Sequence, residues 1–201
     1  IPGGDDRIAF CLAYYGRNSE ALALYVGRKL RQYPVDYGVT AVAAPAPDLW
    51  RKPVLEASRA IFEKVGYRGL GSVEFKMRED GSPVIMEPTV GRTDWQSEIA
   101  VLNGVDIPAI AYADGAELPE LIPSRSVRPC KLVNHGAHWR SFRQLRKSGR
   151  QSLAEWTAER GGRKRFMFWR WNDPGPFFSA TVYTYVRRVL RAPLRALRSA
   201  R

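Results

Sequence analysis

The sequence predicts an α+β fold, an antiparallel sheet with helices between its strands, followed by a basic extension of mixed structure. Three observations predict it. Apolar runs come in neighbouring pairs separated by the short polar stretches "YGRNSEA" and "EDGS", the pattern of hairpins. Between the two pairs lies one segment whose apolar residues recur at helical spacing. The charge is also divided along the chain. Residues 1–119 hold 13 Lys/Arg and 16 Asp/Glu, whereas residues 120–201 hold 19 and 4, so the net charge of +12 belongs to the last part. This division predicts a first region over residues 1–116 and a basic aromatic extension over 117–201.

Arg7 to Tyr15 reads as the first strand and Ala21 to Tyr33 as its hairpin partner. "YPVDYGVT" turns the chain again, and Val39 to Ala44 makes a third strand. A helix is expected from Lys52 to Val65, with Pro53 in its first turn and Val54, Ala57, Ile61 and Val65 as its buried stripe. "GYRGLG" ends it. Gly71 to Arg78, the tight turn "EDGS", and Pro83 to Glu87 form the clearest hairpin. Thr93 or Asp94 then reads as the N-cap of a helix that holds Ser97, Ile99 and Leu102 and stops at "NG". Asp106 caps a short helix to Tyr112, and "ADGAELPELIPS" has the composition of a linker.

The 201 residues suffice for one large or two small domains with a proper core. No apolar run is long enough to predict a membrane span. Cys11 and Cys130 lie far apart and form neither a metal spacing nor a disulfide framework, which points to a reducing, cytoplasmic setting. A start at Ile1 suggests a trimmed or partial chain. No Ser-His-Asp or Cys-His constellation is evident.

"SVEFK" and "VIMEP" place one carboxylate on each strand of the hairpin, Glu74 and Glu87. Cross-strand partners lie about 5 Å apart. Two carboxylates that close repel unless a cation lies between them, and Mg²⁺ takes one or two protein carboxylates plus phosphate and water oxygens. The alternative places the two glutamates on opposite faces, paired with surface arginines. In "GRKLRQYP" the period of two puts Lys29 and Arg31 on one face, where they would share an anion or blunt a solvated edge strand.

In order, "IPGGDD", "GRKLRQYP", "GYRGLGSVEFK", "VIMEPTVGR" and "SEIAVLNGVDIP" resemble the C-terminal half of an ATP-grasp domain of the carboxylate–amine ligase type, D-aspartate ligase-like, over residues 1 to 113. The resemblance implies ATP and Mg²⁺ as cofactors. It implies Glu74, Glu87 and Thr89 as metal ligands, with Thr89 standing where the family has asparagine. Lys29 and Arg31 would face phosphate or acyl phosphate, and Arg92, one residue past the family's usual arginine position, would hold an anionic substrate or intermediate. Catalytic roles fall on Lys29 and Arg92. The family's hinge, glycine-rich loop and phosphate-binding lysine would precede Ile1.

In the extension, "VNHGAHWRSF" holds His135 and His138 at a spacing that would suit a metal on a helix, with no third ligand in view; a loop entering a helix over Trp139 to Lys147 is the plainer reading. "RKRFMFWRW" alternates basic and aromatic residues, as a strand docked on the body or, less favoured, a nucleic-acid surface. From about Ala180 an amphipathic helix is expected, with Val182, Val186, Val189 and Leu190 opposite Arg187, Arg188 and Arg191. It would pack on the body or lie peripherally on an anionic membrane surface. The function expected is ATP-dependent joining of a small-molecule carboxylate to an amine. The alternative is a degenerate lobe that docks partners and carries a basic tail.

Overall fold

Ile8–Tyr15 reads "IAFCLAYY", apolar without alternation, because both of its faces are covered. The computed structural model describes residues 3–123, 127–158, 161–180 and 186. Its centrepiece is a seven-stranded sheet in the order β5-β4-β1-β2-β3-β6-β7. These strands are β1 (Ile8–Tyr15), β2 (Ala21–Tyr33), β3 (Val39–Pro45), β4 (Gly69–Met77), β5 (Pro83–Val90), β6 (Lys131–Val133) and β7 (Lys164–Phe166). All neighbours are antiparallel except β6 and β7, which run parallel.

One face of β1, with Ala9, Cys11, Ala13 and Tyr15, packs with Val73, Phe75 and Met77 of β4 beneath helix α1 (Asp48–Lys64). The other face, with Phe10 and Leu12, packs under α2 (Glu98–Leu102) and α3 (Ile107–Ala116) through Ile99, Ala100 and Ile107. Gly27 makes room on this face, because a Cβ there would lie 2.4 Å from Phe10 Cζ. Helix α4 (His135–Lys147) lies against β2 and β3. Two short helices follow, α5 (Leu153–Ala158) and α6 (Gly175–Phe178).

Several expectations need correction. Helix α1 begins four residues early, so Pro53 is its sixth residue and its ring removes the N–H that would bond back to Leu49. Its buried residues are Trp50, Val54, Ser58 and Phe62, with Ala57 and Ile61 partly covered, while Val65 is exposed. Neither Thr93 nor Asp94 caps a helix. Residues 95–97 form a turn in which Ser97 N–H donates to Asp94 O, and α2 starts at Glu98. Asp106 does cap α3, accepting from Ala109 N–H at 3.2 Å, but the helix runs on to Ala116 and takes in the start of the expected linker.

Strands from both sides of residue 117 share the sheet, since β6 pairs with β3 and β7 with β6. The basic aromatic run thus docks by its first residues as a strand. Beyond it Met167 packs on the α2–α3 side, and Arg170 forms an ion pair with Glu98 of α2. Of the helix expected from about Ala180, only Ala180 and Val186 are among the described residues, and both are exposed.

Candidate active site

Antiparallel pairing sets Glu74 directly opposite Glu87 and Ser72 opposite Thr89. Opposed residues share a face, so all four side chains belong to the face covered elsewhere by α2 and α3. β5 does not end at Glu87. It continues to Val90, which brings Thr89 into the ladder. Just before Glu87 the register shifts: Phe75 faces Ile85, and Met86 is the extra residue of a bulge.

Lys29 comes to the same face from β2. It is 5% exposed, and its Nζ lies 2.7 Å from Glu74 Oε1 and 2.8 Å from Oε2. A buried ammonium needs such a partner. Arg31 does not share that face, because the register slips between them: Lys29 faces Ala43 and Arg31 faces Val42, consecutive residues of β3 whose side chains alternate. Arg31 is buried and lies outside the cleft lining.

An open cleft of about 720 Å³ is lined by Lys29, Glu74, Glu87, Thr89 and Arg92, and further along by the turn between β2 and β3. Glu87 and Arg92 are exposed at its mouth. The structure adds a carboxylate that the sequence reading assigned to a helix cap. Asp94 lines the cleft, and its carboxyl is raised above the ordinary range, first by burial and next by the negative charge of Glu74, while Lys29, Ser72 and Arg92 pull the other way. Gln96, almost fully buried, donates to Asp94 Oδ2 at 3.1 Å. The signal for Asp94 lay in its place two residues after Arg92, within the same run of polar groups.

Tyr67 sets the path of this segment. Its hydroxyl accepts from Gly91 N–H at 2.7 Å and donates to Leu70 O at 2.5 Å. Gly91 turns the chain after β5 with a φ of +77°, a conformation that suits glycine.

Among the described residues no three His, Cys, Asp or Glu side chains come together to hold a metal ion. Glu87, Thr89 and Glu74 are hard oxygen donors on one face, but Glu74 already carries Lys29. That donor set fits Mg²⁺ that draws most of its oxygens from phosphate and water, not a closed protein site. His135 and His138 share α4 without a further ligand; His138 Nε2 accepts from Trp156 Nε1 at 3.1 Å. Cys11 and Cys130 are free and buried, and burial pushes the Cys11 thiol up to about 11, which makes it a poor nucleophile.

The fold occurs in solved enzymes. The phosphoribosylaminoimidazole carboxylase ATPase subunit from Aquifex aeolicus superposes with a TM-score of 0.51 at 17% identity, over 64% of this chain and 38% of that one. An N5-carboxyaminoimidazole ribonucleotide synthetase, solved as an ADP complex, superposes with a TM-score of 0.54 at 14% identity, over 73% of this chain and 38% of that one. No protein-family model and no curated protein sequence matches the chain. At these identities the likeness is one of fold alone, and that fold agrees with the one that the resemblance to an ATP-grasp lobe implies. It spans 38% of the length of each of these two structures. No helix among the described residues is long and apolar enough to cross a membrane.

Proposed function

We propose that this chain is the phosphate-facing lobe of an ATP-dependent carboxylate–amine ligase that forms an amide through an acyl phosphate. One observation carries the reading: Lys29, Glu74, Glu87 and Thr89 meet on one face of the sheet, in one cleft with Arg92. A carboxylate is a poor electrophile until one of its oxygens becomes a leaving group. Its oxygen attacks the γ-phosphorus of ATP and ADP departs; the amine nitrogen then attacks the acyl carbon, and phosphate leaves with the carboxylate oxygen. Lys29, fixed by Glu74, offers a pre-oriented positive charge to the phosphates, and Arg92 offers a second to the acyl phosphate. Glu87 and Thr89, with Glu74, would hold Mg²⁺, which neutralises charge on the phosphates when bound. Asp94, with its raised carboxyl, is suited to accept the proton that the amine loses. Arg31, away from the cleft, is assigned no contact.

The test is isotopic. With a ¹⁸O-labelled carboxylate substrate, the label should appear in the phosphate released, and ATP turnover should need both carboxylate and amine. Unlabelled phosphate, or turnover indifferent to the carboxylate, would refute the acyl-phosphate route.

A second reading has one observation in its favour. Lys29 and Glu74 satisfy each other, as a purely structural pair would. On that reading the lobe is a docking module, and the basic tail binds anionic surfaces such as a membrane. Salt-sensitive co-sedimentation with anionic vesicles, lost on removal of residues 178–201, together with no ATP turnover, would favour it.

A further inference from the structure

The hairpin turn between β1 and β2 meets the end of α3 at a groove that the ligase reading does not use. The groove holds about 690 Å³, within the range of small-molecule sites. Part of its wall comes from the segment after Tyr112, whose composition reads as a linker. It shares no lining residue with the cleft of Lys29 and Glu87. Tyr14, which touches Asp114 of this wall, lies four residues along β1 from Phe10, the partner of Glu74. That separation is about 13 Å of strand.

Leu22, Ile110, Ala113, Pro119 and Ile122 make most of the lining apolar, and Leu22 and Ile122 stay 40% and 45% exposed. Three charged side chains complete it. Glu117 follows α3 with a φ of +59°, where glycine is the usual residue. Its carboxylate lies 2.8 Å from Arg17 Nη1, so these two charges offset each other. Asp114 then sets the sign of the groove. The Tyr14 hydroxyl donates to Asp114 Oδ2 at 2.7 Å, which orients the carboxylate and leaves Oδ1 to a further donor. Burial first, then the hydrogen bond and charge of Asp114, push that hydroxyl up to about 12, so it remains a donor at neutral pH. An oriented carboxylate beside an apolar surface attracts a cation with an apolar body and repels an anion. The negative sign is local, because the chain as a whole carries +12.

We propose that this groove binds a small organic amine in its ammonium form, with Asp114 as the counter-charge and Leu22, Ile110 and Ile122 as the seat of its apolar body. The Arg17–Glu117 pair bounds the groove and withholds a second carboxylate from the amine. The site does not depend on the ligase reading, since neither the cleft nor a nucleotide takes part in it.

Phenethylamine, 2-phenylethanol and 3-phenylpropanoate test this, since they share an apolar body and differ in charge. In titrations of the ¹⁵N-labelled chain followed by NMR at neutral pH, phenethylamine should shift the amide signals of Leu22, Ala113, Asp114 and Glu117. It should bind about fivefold more tightly than 2-phenylethanol, the upper scale of an ion pair that water still reaches. 3-Phenylpropanoate should give no shift there. Asp114→Asn keeps an acceptor for Tyr14 and removes the charge, so phenethylamine should fall to the affinity of the alcohol. Arg17→Gln releases Glu117 and should raise the phenethylamine affinity. Ile122→Ser, at an exposed position, should weaken amine and alcohol alike. The proposal is overturned if phenethylamine gives no shifts at the groove, if the alcohol binds as tightly, if Asp114→Asn leaves the amine affinity unchanged, or if Arg17→Gln lowers it. The Arg17 side chain is 65% exposed, so Arg17→Gln decides the matter even where Asp114→Asn disturbs α3. None of these readouts needs turnover, so they fail separately from the isotope test of the ligase reading.

Discussion

Glu74 and Glu87 face each other across β4 and β5, and the ammonium of Lys29 lies 2.7 Å from Glu74 on the same face of the sheet. The arrangement is asymmetric. Glu74 is neutralised within the fold, whereas Glu87 is exposed at the mouth of the cleft and makes no ion pair among the described residues. One carboxylate therefore organises the wall, and the other is open to a cation, as the proposed ligase role requires.

Glu87→Gln should leave the fold intact. It removes a like charge from a cross-strand pair, so stability should hold or rise by about 0.5 kcal/mol, measured by thermal unfolding. On the ligase reading, ATP turnover should fall well beyond twofold, which corresponds to about 0.4 kcal/mol in barrier. Turnover within that limit would remove Glu87 from the metal assignment.

Lys29→Met should be costly, because it strands Glu74 at a largely covered position. Breaking such a pair costs about 3 kcal/mol. The double variant Lys29→Met with Glu74→Gln should recover most of that loss, since no uncompensated charge is left. Denaturant unfolding of the wild type, both single variants and the double variant measures the coupling. A double variant as unstable as Lys29→Met alone would show that the lysine matters for its packing and not for its partner.

The hairpin and most elements could be read from hydrophobic period and turn residues, because those patterns are local, whereas whether Glu74 and Glu87 share a face was left open. The register was not local. A count by twos places Lys29 and Arg31 together, and a bulge one residue long separates them. Another bulge, at Met86, sits immediately before Glu87 and leaves no compositional mark. Asp94 was hidden for a related reason: an aspartate ahead of an apolar run looks like an N-cap whether it turns to the helix or to a cleft. The joining of β6 and β7 to the sheet depends on contacts far apart in sequence, which charge and composition do not encode.

Asp94→Asn should stabilise the fold at neutral pH. The folded protein raises the Asp94 carboxyl, by burial and the nearby Glu74, above its value of 3.8 in an unfolded chain. The folded state thus favours the protonated form. The stability associated with that proton is present below 3.8 and is lost as pH rises through the folded value. The variant should melt above the wild type at pH 7, and the gap should shrink as pH falls toward 3.8. A gap that stays constant with pH, or a variant that melts lower at pH 7, would contradict the raised carboxyl.

Tyr67→Phe tests whether the segment that bears Arg92 and Asp94 is held from beneath. The Tyr67 hydroxyl bridges Leu70 O on β4 and Gly91 N–H at the end of β5, so a single oxygen ties together the strands that carry Glu74 and Glu87. The ring packs against Phe62 and Tyr15, at centroid distances of 4.8 and 6.2 Å, and phenylalanine preserves that packing. The variant therefore isolates the hydroxyl. Two hydrogen bonds at about 1 kcal/mol each set the scale, so a loss of about 1–2 kcal/mol is expected in denaturant unfolding. Amide hydrogen exchange should quicken at Gly91 and the residues after it while β1 stays protected, because the loss is at a strand end and not in the core. Unchanged exchange at Gly91 would mean that its turn is fixed by β5 alone, and that Tyr67 contributes packing without positioning the cleft.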